Sequence, residues 1–422
     1  MRNSALQRQA AAALEVLARV REAVGRDQAA DQALATLLRA HREYGSRDRR
    51  LFGQLVFSHF RWQGWLADLP TDEARAAAAF HLDATERHPA VDQWAVPNLA
   101  PVGRLDLAGK ADALAAWFQR PHPPDWRDLV PPWTGSELLD DGTPEPLHRF
   151  VSAVQLRPPL WLRCRRGQAP AVTEALHRLG IDARAHPHLP EALAIDGTVP
   201  LAELQKQVPG AFEVQDLASQ IVGLCCEPQA GQQWWDVCAG SGGKALHLSD
   251  LMNGRGKVIA TDTRPGALSA LAQRARASRT PNLAIAGPDR SGEIPLPPVQ
   301  SQDGLLVDAP CSGLGTWSRN PDARWRTRAE QLPERGATQL AILRRAAPAV
   351  RPGGTLVYAV CSLARTETTR VADEFLAAEP RFAPAPLPNP LHPGQPPSSH
   401  LAIHPDAGPG IGMFIARFKM QQ

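Results

Sequence analysis

The chain has 422 residues and a mass of 45.7 kDa, which suits two to four domains at roughly 100–200 residues each. With 43% hydrophobic and 21% charged side chains and only six Cys, the composition excludes a largely disordered chain and a disulfide scaffold. A net charge of +3 is too small for the whole chain to act as a polyanion binder, so any such site is local. Apolar runs such as Ala76 to Phe80 fall far short of the roughly 20 residues of a membrane helix. Arg8, Arg19 and Arg21 interrupt any secretory core near the N-terminus. The expectation is a cytoplasmic protein with reduced thiols and no membrane association. Only five of the 46 basic residues are Lys; Arg is the better fork for phosphates and the better platform for bases, although a GC-rich genome accounts for most of the bias.

The first 80 or so residues read as helices. Asn3 to Val24 and Gln28 to Tyr44 carry apolar residues at mixed helical spacing, with Gly25 and Gly45 as punctuation. A third helix is predicted to start at Ser46 as N-cap and to bury Phe52, Leu55, Val56 and Phe60. Residues 1–120 are expected to form a helical domain, with a solvated Arg-rich face that could also meet RNA phosphates. Prolines cluster between Arg120 and Glu145, which predicts a linker over 121–150. Residues 151–220 alternate short strand-like and helical pieces and suit a small α+β module.

From residue 221 to 422 the pattern changes. Short apolar strands at Trp234–Cys238, Lys257–Thr261, Leu283–Ala286, Gly304–Val307 and Thr355–Val360 alternate with helices, and a last strand is expected at Met413–Phe418. This order predicts an α/β, Rossmann-like domain with a mainly parallel, doubly wound sheet whose ligands lie beyond the carboxyl ends of the strands.

The first of these strands runs into Asp236-Val-Cys238-Ala239-Gly240-Ser241-Gly242-Gly243-Lys244. Its glycines let backbone amides approach a ligand, and the next helix presents its positive end. The segment matches neither the phosphate loop nor the dinucleotide fingerprint. Asp262 ends the second strand, about twenty residues on, where a carboxylate can accept from both ribose hydroxyls. A ribose without a pyrophosphate cradle suggests S-adenosylmethionine, and Asp289, after the third strand, could face its adenine.

Strand four ends in Asp308-Ala-Pro-Cys311-Ser-Gly-Leu-Gly315 and strand five in Cys361-Ser362. Cys164, Cys225 and Cys226 read as small buried hydrophobes, whereas two Cys at the ligand ends of neighbouring strands read as chemistry. No metal-ligand spacing accompanies them. A methyl donor and two thiols suit one problem. Carbon 5 of a pyrimidine is a poor nucleophile until a thiolate adds at carbon 6 and makes the ring an enamine. An acid near ring N3 and a base for the carbon-5 proton complete the cycle, and Asp308 and the second Cys are placed for those steps.

These residues resemble the Sun/Nol/Nop RNA cytosine-C5 methyltransferases, and within them the bacterial 16S ribosomal RNA enzymes of the RsmB type. The likeness rests on Asp236 to Lys244, on Asp308-Ala-Pro-Cys311-Ser-Gly-x-Gly, on Tyr358-Ala-Val-Cys361-Ser-Leu, and on Arg319-Asn-Pro-Asp-Ala-Arg-Trp-Arg326. Arg157-Pro-Pro-Leu-Trp-Leu-Arg163 and Phe212 to Gln220 are similar to the borders of the family's RNA-binding-type module. Gly45 to Gln54 resembles its NusB-like helical domain. The resemblance implies that Cys361 is the nucleophile and Cys311 assists release, with Asp308 at the cytosine and donor methyl and Lys244 organising the site. It implies that Asp262 holds the ribose and that residues 238–244 with Asp289 hold the rest of the donor. Arg319, Arg324 and Arg326 become candidates for the RNA backbone, and the target base would leave its stack. The partner expected is small-subunit ribosomal RNA, and the protein a monomer. Five positions depart from the family pattern: Ser241 replaces Pro, Val360 Thr, Thr368 Asn, Ile411 Asp and Arg165 Asn. They motivate the alternative of a catalytically weakened ribosome assembly factor that binds RNA.

Overall fold

The computed structural model describes residues 2–140, 142–406 and 410–422, with only the backbone of residues 2 and 3. Two compact units divide the chain. The first runs to Arg157 and takes in Thr316–Ala329. It holds helices α1 (Arg2–Gly25), α2 (Ala30–Ala40), α3 (Ser46–Leu66), α4 (Asp72–Asp83), α5 (Leu107–Trp117), α6 (Thr134–Glu137) and α7 (Pro146–Val154). Helix α3 buries Phe52, Leu55, Val56 and Phe60 as predicted, together with Trp62 and Trp65. Its N-cap is Gly45 rather than Ser46: the Gly45 amide donates to Asp48 Oδ2 at 3.0 Å. Thr71 caps α4 by accepting from the Ala74 amide, and Ala76 to Ala79 pack with almost no exposure.

The linker expected over 121–150 is instead part of this packing, apart from Asp141, which lies outside the described residues. Proline forbids long regular elements but not burial. Asp125 caps a 3-10 turn at Trp126–Leu129, Pro146 opens α7 in the first helical turn where no amide donor is needed, and Leu129, Val130, Leu138 and Leu139 are buried. Helix α7 also carries residues 151–154 into the first unit, so the small module starts later than expected, at Pro158.

The second unit comprises Pro158–Gly315 and Glu330–Gln422. Its first part is a four-stranded antiparallel sheet, order β2-β3-β1-β4, made of β1 (Leu160–Cys164), β2 (Ala183–His186), β3 (Leu189–Ile195) and β4 (Phe212–Val214). Helices α8 (Ala169–Arg178) and α9 (Leu201–Gln207) supply Val172, Ala175, Leu176 and Leu204 to its core. The alternation of short strand-like and helical pieces predicted for this stretch is present in β1, α8, β3, α9 and β4, whereas the Ala-Arg-Ala-His of β2 has no strand-forming pattern.

An eight-stranded sheet follows, with β5 (Gln233–Asp236), β6 (Lys257–Thr261), β7 (Leu283–Ala286), β8 (Gln302–Asp308), β9 (Val350–Val360), β10 (Phe382–Pro384), β11 (His400–Ile403) and β12 (Met413–Met420). The order is β10-β12-β9-β8-β5-β6-β7, with β11 on β12; β7, β6, β5, β8 and β9 are parallel and β12 is antiparallel to β9. Helices α10 (Leu217–Cys226), α11 (Gly243–Leu251), α12 (Pro265–Ala277), α13 (Gln331–Ala346) and α14 (Thr369–Ala378) accompany the strands. This is the expected Rossmann-like, mainly parallel architecture. The chain leaves β5 toward β6 on one side and returns to β8 on the other, which opens a crevice at the carboxyl ends of β5 and β8.

Candidate active site

Four strand ends meet at that crevice: β5 ends at Asp236, β6 runs into Asp262, β8 ends at Asp308 and β9 precedes Cys361. Ladder bonds continue past the strands and fix the loops. The Val237 amide donates to Leu306 O at 2.9 Å, that of Ala239 to Thr261 O at 2.8 Å and that of Ala309 to Ala359 O at 2.9 Å.

The segment from Cys238 to Lys244 is a turn into α11. Gly240 (φ 56°) and Gly242 (φ 89°) occupy the left-handed region, and a Cβ at Gly242 would sit 1.9 Å from Leu271 Cδ1. Ser241, where the family pattern has Pro, accepts from Arg274 Nη1 through both its carbonyl and its hydroxyl, at 2.7 and 3.0 Å. Arg274 also grips Glu213 on β4 at 2.6 Å. The four other departures are absorbed locally. Val360 and Ile411 are buried, the Thr368 hydroxyl donates to Ala364 O, and Arg165 pairs with Asp250.

Three carboxyls surround this loop. Asp236 is fully buried, and neither of its oxygens has a well-formed hydrogen bond, the Cys238 amide contributing little. Burial, reinforced by the Asp308 charge, pushes it up to about 8. Burial also raises the Cys238 thiol. Asp262 accepts from the Gly240 amide at 2.8 Å and from the Arg264 amide and side chain at 2.9 Å. Burial works to raise the Asp262 carboxyl, but the Arg264 guanidinium and these amides more than offset it and hold it low. Asp308 Oδ2 accepts from Lys244 Nζ at 2.7 Å. Burial opposes the Lys244 charge, yet Asp308 keeps it above its ordinary value.

The two predicted thiols come together: Cys311 Sγ and Cys361 Sγ are 3.3 Å apart. The hydrogen bond to Cys361 first, then burial, and then the Cys361 and Glu367 charges push the Cys311 thiol well up. Cys164, Cys225 and Cys226 are buried, as expected of packing residues. Asp289 is not drawn into the site by any contact. It is exposed, and its carboxylate accepts from Ser291 and Glu293 within its own turn.

The basic segment at 319–326 also reads differently in the structure. Arg324 has no exposed surface and donates to the carbonyls of Leu129, Val154 and Trp317 in the first unit, so it is not available to an RNA backbone. Arg326 pairs with Asp322 and Asp27. The sequence reading missed several residues that frame the thiols. Glu367 accepts from Ser312 and Ser362, the residues that follow each Cys, and from Gln339. Arg335 Nη1 donates to Cys311 O at 3.1 Å. The repeated Cys-Ser pair at two strand ends was the available signal.

The residues present suit a cationic donor. Asp308 pairs with the Lys244 ammonium, Asp236 is buried without a strong partner, and the Gly242 cradle has no room for a Cβ. Comparison with known proteins agrees with that chemistry. Residues 224–419 match the family described as 16S rRNA methyltransferase RsmB/F. A probable ribosomal RNA small subunit methyltransferase B of Synechocystis is 34% identical over 59% of this chain and 56% of its own length. Ribosomal RNA small subunit methyltransferase B of Salmonella paratyphi B is 29% identical over 76% of this chain and 75% of its own. The chain thus spans little more than half the length of the first of these relatives. The crystal structure of a protein designated PH0851 superposes with a TM-score of 0.73 at 22% identity, over 97% of this chain and 99% of that one, which speaks to the fold. Residues 224–419, the stretch that carries the crevice, are thus similar to the RsmB/F methyltransferases.

Proposed function

We propose that this chain is an S-adenosylmethionine-dependent ribosomal RNA methyltransferase that modifies carbon 5 of a cytosine in small-subunit RNA. The family match and the names of the relatives support the coarser part. One observation carries the finer part: two thiols 3.3 Å apart at the ligand ends of adjacent strands, in the domain that pairs Lys244 with Asp308.

In this reading Cys361 Sγ bonds to carbon 6 and the ring electrons move onto carbon 5. When bound, S-adenosylmethionine supplies the electrophilic methyl group, which carbon 5 takes as the sulfonium becomes a thioether. Asp308, held by Lys244, faces the base and the methyl group. Cys311 then helps remove the carbon-5 proton, the ring double bond re-forms, and the Cys361–carbon 6 bond breaks with its electron pair returning to sulfur. The cause of the Cys311 shift explains the timing. Its main source is the hydrogen bond to Cys361, and that bond is lost once Cys361 is tied to carbon. Cys311 therefore keeps its proton before attack; once the adduct has formed it releases that proton to solvent, and the thiolate so formed takes the proton from carbon 5. Asp262 would receive the donor ribose in the place Arg264 now holds, with residues 238–244 and Asp236 around the remainder. Asp289 would serve adenine only if its turn opened. The helical unit and the small module would supply RNA contacts, and the protein would act in the cytoplasm as a monomer. Among the described residues no helix is long and apolar enough to cross a membrane.

The test is incubation with tritiated donor and unmethylated small-subunit RNA. Label should appear as 5-methylcytosine; label at another atom refutes the thiol route, and none at all favours the assembly-factor alternative. Cys311→Ala should accumulate an RNA adduct that survives denaturing gels, and Cys361→Ala should give neither adduct nor product. The reverse pattern would exchange the roles of the two thiols.

A further inference from the structure

Glu367 ends a 3-10 turn at Arg365–Glu367 and has no exposed surface. Its Oε1 accepts from the Ser312 amide at 2.8 Å and from Gln339 Nε2 at 3.2 Å. Its Oε2 accepts from the hydroxyls of Ser312 and Ser362, the latter at 2.7 Å, and the two hydroxyls are 3.2 Å apart. Ser312 and Ser362 directly follow Cys311 and Cys361, so one carboxylate joins the two thiol loops a single residue from each sulfur. The frame behind it is equally tied. The Tyr358 hydroxyl donates to Glu367 O at 2.5 Å, and the Gln339 amide also donates to Pro310 O at 2.9 Å. Among the described residues no Lys, Arg or His pairs with this carboxylate. A buried carboxylate held only by neutral donors is costly to keep, and an apolar residue would fill the space with less penalty.

We propose that Glu367 is a positioning residue for the thiol pair, holding the loop after Cys311 and the loop after Cys361 at the one spacing at which both sulfurs address the same pyrimidine ring. This rests on the reading that both thiols take part in methyl transfer. A second effect follows from charge. Glu367 is among the groups that push the Cys311 thiol up, after the Cys361 hydrogen bond, burial and the Cys361 charge. The same carboxylate thus sets distance and helps keep the proton on the sulfur that must hold it until the adduct has formed.

Two variants of the full chain separate distance from charge. Glu367→Gln removes the charge and turns an acceptor into a donor facing the Ser hydroxyls. Its kcat for methyl transfer should fall by tenfold or more with the RNA KM within about threefold, because misplacement of reacting groups acts on the transition state. The pH of half-alkylation of Cys311 by iodoacetamide, read by peptide mass spectrometry, should drop below that of the wild type. Ser362→Ala removes one strut and keeps the charge, so kcat should fall with the Cys311 alkylation profile unmoved. A merely structural Glu367 would lower the melting temperature and leave the profile where it was. Wild-type kcat in Ser362→Ala, or an unmoved Cys311 profile in folded Glu367→Gln, overturns the inference. Should Glu367→Gln fail to fold, Ser362→Ala decides it alone. Undiminished methylation by Cys361→Ala would instead sink the underlying thiol reading, which the alkylation profile does not depend on.

Discussion

Asp236 carries the clearest pH signature of any single residue. Its carboxyl is pushed up to about 8 by burial, whereas the unfolded chain loses that proton near the ordinary value of about 4. The native state therefore binds the extra proton between those limits. Stability contributed by this group is full below about pH 4, declines by about 1.4 kcal/mol per pH unit as pH rises, and levels off above about 8. Asp236→Asn cannot ionise and escapes the decline. Denaturant unfolding should show the variant close to wild type at pH 4 and more stable by a few kcal/mol at pH 9; a gap that does not widen with pH would show that Asp236 ionises freely in the folded protein. Sequence alone marked Asp236 as the start of the loop. Its protonation depends on Asp308, 72 positions later in the chain, and no local pattern encodes that proximity.

At the scale of elements, the donor loop depends on one backbone conformation. Gly242 has φ 89° and its missing Cβ would overlap Leu271 of α12, so Gly242→Ala incurs both left-handed strain and a clash. Isothermal titration with a donor analogue should show at least a tenfold loss of affinity, and an unaffected Kd would mean that the turn is not part of the cradle. The strands and helices of the second unit were legible because buried parallel strands are short apolar runs bounded by glycine and separated by amphipathic helices, a pattern that survives in one sequence. Cys311 and Cys361 were legible for the same reason: each stands at a strand end, and topology alone brings adjacent strand ends together. Glu367 and Arg274 were not, because they act through turns whose geometry is set by tertiary packing. The proline-rich stretch misled in the other direction. Proline density reports the lack of long elements, while burial of Leu129 and Leu138 is decided by what packs over them.

The first unit is assembled from two distant stretches, and Thr316–Ala329 is its second. Trp317 is fully buried against Trp133 and Phe150, Arg324 sits beside its ring, and Trp325 Nε1 donates to Phe60 O at 2.7 Å. Burying one Trp removes about 150–250 Å² from water, roughly 4–6 kcal/mol. A fragment comprising 158–422 would carry these residues without their surroundings. It should show red-shifted tryptophan emission and concentration-dependent aggregation, both relieved when 316–329 is replaced by a Gly/Ser linker; a fragment as soluble as the full chain would show that this stretch is dispensable to the packing. The arrangement has a further consequence during synthesis. The helical stretch up to Arg157 is made well before Thr316–Ala329, so its core stays incomplete while about 160 further residues are added, a long-range closure that slows folding. For that interval the nascent bundle presents an unfilled apolar slot, and a trigger-factor-type chaperone would have its longest engagement there.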